Sequence, residues 1–460
     1  MRLLILLFLA VAVAVADTHT AASCSGANVQ TAIDAAANGD TVSIPAGNCT
    51  WTTTVTIASK GLIVVGAGVD VTNITDQGAS GSALAASGLS ATNFLDLSGF
   101  TFIKSTAHTN GLVAIEGAME VSFRVHTVRI LHATSGSRGI VTVGAFGLID
   151  HVTFDVTSAT GSIQSVAVFG SAEGTDAGFT PWMSALSLGS SNAVYIEDST
   201  FNYGSVDEDC VDAYGGARLV IRHNAFNNAH VGFHGFDSGD RRSAFSWEMH
   251  DNVFTNNSAT QFRGMTIRGG TGVIYNNTYT GSKAWYDITA MLYRACPPLD
   301  QSKWGTCDGT SWELGSTNFA TDASRTASVG GGVKFCSTAR DTVCTTDSTC
   351  TAIGGGTCST YLDGAGTAGY ACRDQPGRTH NQVLSPMYAW NNGTVALGTY
   401  DGGNACGVGL ANYLQADRDY VNGTAMPGYA AYAYPHPLQG EPASYATRTE
   451  GNVRTTGRVQ

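Results

Sequence analysis

Charge is what this 460-residue sequence has least of: Asp, Glu, Lys and Arg make up only 13% of it. The 24 basic residues stand against 36 acidic ones, a net charge of −12. That balance excludes broad electrostatic attraction to nucleic acid, whose phosphates require a basic surface. Beyond the N-terminus no apolar run is long enough to span a bilayer, so no membrane span is expected in the mature chain. The sequence also lacks a phosphate-binding loop, a nucleophile elbow and a nucleotide-binding fingerprint. Eight of the 11 Cys crowd between Cys296 and Cys406 without zinc-site spacing, which leaves disulfides as their expected state.

What is present begins with MRLLILLFLAVAVAVADT. One basic residue, a short apolar run and then Ala14-Val15-Ala16 predict a secretory signal peptide over 1–16 and a secreted, extracellular protein. The Cys content fits that oxidising compartment, with Cys24 and Cys49 expected to pair locally and Cys210 left as a buried thiol. Abundant Gly, Ala, Ser and Thr predict a β-rich chain with many turns.

In NVQTAIDAAANGDTVSIPAG, residues 28–47, Val29, Ile33 and Ala36 recur at helical spacing before a short alternating strand. A helix there is expected to cover the open end of a strand stack. A loose repeat follows: GLIDHVTF, VYIEDSTF, LVIRHNAF, WEMHDNVF and VIYNNTY. The aromatics Phe201, Phe226, Phe254 and Tyr279 recur 25, 28 and 25 residues apart, the period of a solenoid. Alternation within each repeat predicts strands, hence an all-β parallel β-helix with the aromatics stacked inside and Asn224, Asn252 and Asn277 forming a ladder at a turn.

These segments resemble the pectate-lyase-like right-handed parallel β-helix superfamily, over about residues 27–295 and again within 376–440. The resemblance implies that fold, which hosts lyases, glycoside hydrolases, esterases, epimerases, phage tail proteins and adhesins. Ile149-Asp150-His151 is similar to an element of pectate lyases that also occurs as ordinary coil text. Arg373-Asp374-Gln375-Pro376-Gly377-Arg378 resembles the lyase Arg-x-Pro-x-x-Arg element, but its Pro is displaced. The expected organisation is a signal peptide 1–16, an N-terminal helical cap 17–45, a parallel β-helix 46–295, a disulfide-rich C-terminal insertion 296–375, final β-helix-associated strands 376–440 and a loose tail 441–460.

Chemistry concentrates on three successive repeats. SVDEDCVDAYGG carries Asp207, Glu208, Asp209 and Asp212; HVGFHGFDSGDRRS carries His230, His234, Asp237, Asp240, Arg241 and Arg242; QFRGMTIRGG carries Arg263 and Arg268. Aligning VDAYGG, FHGFDS and MTIRGG puts Asp212, His234 and Thr266 in one column and Tyr214, Phe236 and Arg268 in the next. Stacked strands lie about 4.8 Å apart, so such columns line a groove. Basic residues beside an acidic cluster suit β-elimination on a uronic-acid-containing extracellular polysaccharide. His234, Arg241, Arg242, Arg263 and Arg268 are the expected catalytic groups, and Tyr214 and Phe236 the expected sugar contacts. Asp207, Asp209, Asp212 and Asp237 are the expected ligands of Ca²⁺, which would acidify the proton beside the sugar carboxylate. Glycoside hydrolysis needs two carboxylates about 5 to 9.5 Å apart and is the rival chemistry. A non-catalytic adhesin, glycan-binding protein or self-associating filament subunit is the rival class.

Overall fold

The computed structural model describes residues 16–440, except 79–80, 107–109, 135–136, 157–162, 172–180, 183, 205–208, 236–241, 259–263, 283–287, 292–333, 337–342, 345, 355, 360–373, 381–382 and 400–413. The signal-peptide expectation, through residue 15, and the tail 441–460 lie outside the described residues.

From residue 194 to residue 290 each repeat contributes three strands. The first set is Val194–Glu197, Arg218–Arg222, Ser246–His250 and Thr271–Tyr275. The second is Thr200–Tyr203, Ala225–Asn227, Val253–Thr255 and Thr278–Thr280. The third is Asp209–Tyr214, His230–Phe233, Met265–Ile267 and Ile288–Ala290. Every strand pairs in parallel with its equivalent in the next repeat. Across the described residues this builds an 18-stranded and a 10-stranded parallel sheet, an arrangement consistent with a parallel β-helix and with no closed barrel.

Alternation drives the coil. Val194, Ile196, Leu219, Ile221, Trp247, Met249 and Ile274 enter the core, while the residues between them face outward. Phe154, Phe201, Phe226, Phe254 and Tyr279 stack face to face inside, with ring centroids 4.7, 4.6, 4.6 and 5.0 Å apart. Each such pair adds about 0.5–1.5 kcal/mol beyond the apolar area it buries.

At the corner between the first two strand sets, buried Asn224 donates its amide to Asn252, Asn252 to Asn277 and Asn277 to Asn392, at 3.0, 2.9 and 3.0 Å. The ladder residues are not themselves left-handed. The residue before each takes that conformation: His223, Asp251, Asn276 and Asn391, at φ 57°, 56°, 55° and 53°. Bending is thus done by one residue and satisfaction of the bent backbone by the next.

The helix Gly26–Ala35 starts at Ser25, whose hydroxyl accepts the Asn28 N–H at 3.4 Å. It buries Val29, Ala32 and Ile33 against the first strands of the coil. A Cys24–Cys49 disulfide and a 2.9 Å bond from Trp51 Nε1 to the Cys24 carbonyl tie its approach to the strand Gly47–Trp51. Cys210 is a buried free thiol. Within 334–359 the described backbone forms a small antiparallel sheet, and Cys350 and Cys358 are both in disulfides.

The parallel sheets resume at Met387–Trp390, Leu397–Thr399 and Tyr420–Asn422. Trp390 stacks on Tyr275 at 4.5 Å. Residues 428–440 then cross the outer face of the first strand set as a strap without strands. Gly189, at φ 70°, lets the strap pass: a Cβ there would sit 2.0 Å from the Ala430 carbonyl. No helix among the described residues is long and apolar enough to cross a membrane.

Two sequence elements that resemble lyase motifs have structural positions. Asp150 is buried and accepts two bonds from Arg124, at 2.9 and 2.8 Å, and His151 beside it is left-handed, at φ 52°, within the strand Phe146–Val156. Asp374 and Arg378 are buried in separate ion pairs, with Arg242 and Asp419.

Candidate functional site

The candidate site lies on the outer face of the third strand set. Val211, Ala213, Val231, Phe233, Met265 and Ile267 point into the core, so the residues alternating with them point out. The observed register pairs Asp212 with Gly232 and Gly232 with Thr266. It pairs Ala213 with Phe233 and Phe233 with Ile267, which sets Tyr214, His234 and Arg268 side by side at the next outward position. The expected columns are therefore corrected: His234 stands with Tyr214 and Arg268, not with Asp212 and Thr266.

The middle strand is His230–Phe233, two residues earlier than FHGFDS would put it, and a bulge interrupts the strand beside it. Asp209 pairs with His230 but Val211 pairs with Val231, so Cys210 is the extra residue. In an unbroken strand, positions three apart face opposite ways. The bulge at Cys210 brings Asp209 and Asp212 to the same side. An oxygen from each and a ring nitrogen of His234 all lie within 4.8 Å of one another.

Every group in this cluster is held from behind. Asp212, fully buried, accepts from Tyr214 Oη at 2.5 Å and Gln164 Nε2 at 2.6 Å through Oδ2. Its Oδ1 accepts the Ala213 N–H at 2.8 Å and meets His234 Nδ1 at 2.5 Å. Gln164 is fixed in turn by Arg138 Nε, which donates to its Oε1 at 2.6 Å. Asp209 Oδ1 meets His230 Nε2 at 2.9 Å. The Asp209 carboxylate lies over bare backbone: a Cβ on Gly232 would come within 2.1 Å of it.

Burial pushes the Asp209 carboxyl up, but the His230 hydrogen bond and the charges of His230, Arg268 and His234 outweigh it. The net shift is downward and Asp209 is held ionised. Burial, followed by the Asp212 charge and the hydrogen bond to Asp212, pushes the Tyr214 hydroxyl far up, so it remains a donor. The Cys210 thiol is also raised, first by burial and then by the charge of Asp209, which keeps it an unreactive core group.

His234 stacks on Tyr214 at 4.0 Å, and Tyr214 stacks on Phe169 at 4.9 Å. The His234 side chain keeps 16% of its surface exposed, and no partner of its Nε2 is seen among the described residues. A buried carboxylate on Nδ1 fixes the imidazole orientation and tautomer, leaving Nε2 as a proton acceptor.

Other expectations fare differently. Tyr214 is packed between two rings rather than presented as a sugar platform. Arg242 leaves the groove altogether: it is fully buried, bonded twice to Asp374 at 2.5 Å and set 5.0 Å from the Trp182 ring. Its position after a turn gave no sign of a partner 132 residues away. Arg268 is nearly buried, and its charge reaches Asp209. Asp207, Phe236, Asp237, Arg241 and Arg263 lie outside the described residues.

Gln164 and His230 complete the network; His230 belongs to the stretch singled out in the sequence, though with no role assigned to it, whereas Gln164 did not stand out there. Gln164 sits at an outward position of the strand Ile163–Phe169, and an alternation count on that strand would have found it. Of the four carboxylates expected to bind Ca²⁺, the two described ones are joined by an imidazole. Ca²⁺ takes six to eight oxygen ligands, so this donor set does not fit it.

No protein-family model and no curated protein matches the chain. Solved structures with partial likeness include a Geobacillus virus E2 protein, ORF18, at 14% identity and TM-score 0.24, covering 58% of this chain and 62% of that one. The catalytic domain of a GH87 α-1,3-glucanase matches at 11% identity and TM-score 0.26, covering 57% of each chain. An alginate lyase from Paenibacillus sp. str. FPU-7 matches at 13% identity and TM-score 0.25, covering 60% of this chain and 93% of that one. The chain thus spans less than two thirds of the first two, and likeness at this level carries no argument about activity.

Proposed function

We propose that this chain is a secreted carbohydrate-active enzyme that cleaves a uronic-acid-containing polysaccharide by β-elimination, with His234 as the base. The observation that carries the reading is the 2.5 Å contact between buried Asp212 Oδ1 and His234 Nδ1, which leaves Nε2 of a partly exposed ring with no partner among the described residues. His234 Nε2 takes the proton from the sugar carbon that bears the carboxylate. The C–H electron pair forms the new carbon–carbon double bond as the neighbouring glycosidic C–O bond breaks. The imidazolium then returns its proton to the departing oxygen. Asp212 steadies the transient positive charge on the ring. Arg268, next to His234 across the strand pair, stabilises the negative charge that builds on the sugar carboxylate.

Hydrolysis is the weaker reading because both Asp212 oxygens are occupied by donors inside the protein. Among the described residues that leaves Asp209 alone where two free carboxylates are needed. Calcium binding through Asp207 and Asp237 remains a separate proposal.

The test is incubation of the purified protein with pectin, alginate, chondroitin and neutral glycans, with Ca²⁺ and with chelator. An ultraviolet-absorbing unsaturated product from a uronic substrate is expected. New reducing ends without that absorbance would replace the lyase by a hydrolase, and binding without cleavage would replace it by a glycan-binding protein.

A further inference from the structure

We infer that Asp209, Asp212 and His234 form a binding site for a first-row transition-metal dication of the zinc class, and that loading it removes His234 from service as a base. The second half rests on the lyase reading; the first does not.

The site is built as metal sites are built. Two carboxylates and an imidazole converge with donor atoms within 4.8 Å. Each ligand has an outer partner that orients it: His230 on Asp209, Tyr214 and Gln164 on Asp212, and the stacked Tyr214 ring on His234. Such outer contacts characterise metal centres and tune them. Gly232 supplies the space that the Asp209 carboxylate occupies, which a side chain would fill. The bulge at Cys210 puts both carboxylates on this face.

The donor types select the ion. One imidazole nitrogen with two carboxylate oxygens suits Zn²⁺, Co²⁺ or Mn²⁺, whereas Ca²⁺ and Mg²⁺ favour oxygen alone. The charges facing the site are two carboxylates against Arg268, with His230 behind Asp209 and Arg138 one residue further back through Gln164. The two carboxylates outweigh Arg268 and favour a dication. An ion held by Asp209 and Asp212 takes the place of the proton between Asp212 Oδ1 and His234 Nδ1. The neutral imidazole then carries its one proton on Nε2, which no longer has a lone pair to accept another.

Chelator-stripped full-length protein is titrated with ZnCl₂, CoCl₂ and CaCl₂ by equilibrium dialysis, and the histidine ring nitrogens are followed by ¹⁵N NMR. One equivalent of Zn²⁺ or Co²⁺ is expected, bound at least about tenfold more tightly than Ca²⁺. Asp209→Asn and His234→Gln are each expected to weaken Zn²⁺ binding by about 10–100-fold or more, with circular dichroism showing that both remain folded. In the wild type, Zn²⁺ is expected to move the His234 proton from Nδ1 to Nε2. Binding that survives both substitutions, no binding beyond that of Ca²⁺, or an unchanged His234 tautomer would overturn the inference. Metal binding with the tautomer change but no cleavage of any glycan would remove the lyase and leave the metal site standing.

Discussion

Two charged clusters on the outer surface of the coil differ in how completely their charged groups are bonded within the chain. On the strap face, Arg222 and Glu197 are both fully buried and bonded, Nε to Oε1 at 2.7 Å. The other guanidinium nitrogens donate to the Tyr432 and Ala433 carbonyls, each at 2.6 Å. Glu197 Oε2 accepts the His436 N–H at 3.1 Å and Gln439 Nε2 at 2.9 Å. Glu248 accepts the Gly189 N–H at 2.8 Å and Tyr429 Oη at 2.5 Å. On the site face, Asp212 is as fully bonded, but Nε2 of the partly exposed His234 has no partner among the described residues. Burial dominates on the strap face and pushes the Glu197 and Glu248 carboxyls up, whereas the histidines and Arg268 hold Asp209 down. The lesson is that a buried charge with every valence satisfied by the chain is scaffold, and a similar network that ends at an exposed acceptor is equipped for chemistry.

Breaking the closed cluster has the largest expected effect on stability. Arg222→Met leaves Glu197 buried without its cation and the strap carbonyls without donors, a loss of about 3–5 kcal/mol. Urea denaturation should show it, while the folded fraction keeps its activity. An equal fall in the specific activity of the folded fraction would show that the two faces are coupled.

A smaller effect is expected at the corner beside the strap face. Asn252→Ala removes one member of the amide ladder and leaves a buried Asn224 amide and the Asn277 Oδ1 underbonded, a cost of about 1–3 kcal/mol. The urea midpoint should fall with no change at the site. A neutral result would mean that the stacked aromatics alone hold the corner.

The third effect is absent near neutral pH and concerns acid. Burial, opposed by the hydrogen bond to Asp251, pushes His250 on the strap face down to about 4 from the ordinary 6.5. The folded state therefore keeps this ring neutral where the unfolded state protonates it. Stability is full above pH 6.5 and declines as pH falls from there toward about 4, at up to about 1.4 kcal/mol per pH unit for one proton. His250→Phe keeps the 4.5 Å stack on Tyr275 and should flatten that part of the stability profile by one proton. An unchanged slope would place the acid sensitivity elsewhere.

How much of this was legible in the sequence follows from range. The coil was, because Phe201, Phe226, Phe254 and Tyr279 must recur at the spacing that stacks them. Trp390-Asn391-Asn392 likewise echoes Tyr275-Asn276-Asn277 and pairs with it. The cluster was legible by composition but not by register, since the middle strand is His230–Phe233 rather than FHGF, which stands His234 beside Tyr214 and not Asp212. Arg242 was misplaced because its partner Asp374 is distant in sequence and local text shows only a turn. The strap was not legible at all: residues 428–440 have no periodicity, and their meaning depends on Arg222, 210 residues before Tyr432.

The central claim is that His234, held by Asp212, is the working base of the open cluster. The most direct measurement is the initial rate of unsaturated-product formation on the cleaved uronic substrate, for wild type and His234→Gln at matched folded concentration. The account predicts that kcat falls by about 10²–10⁴-fold with the fold intact, the scale of losing a general base. A His234→Gln protein that forms the product at the wild-type rate would contradict it.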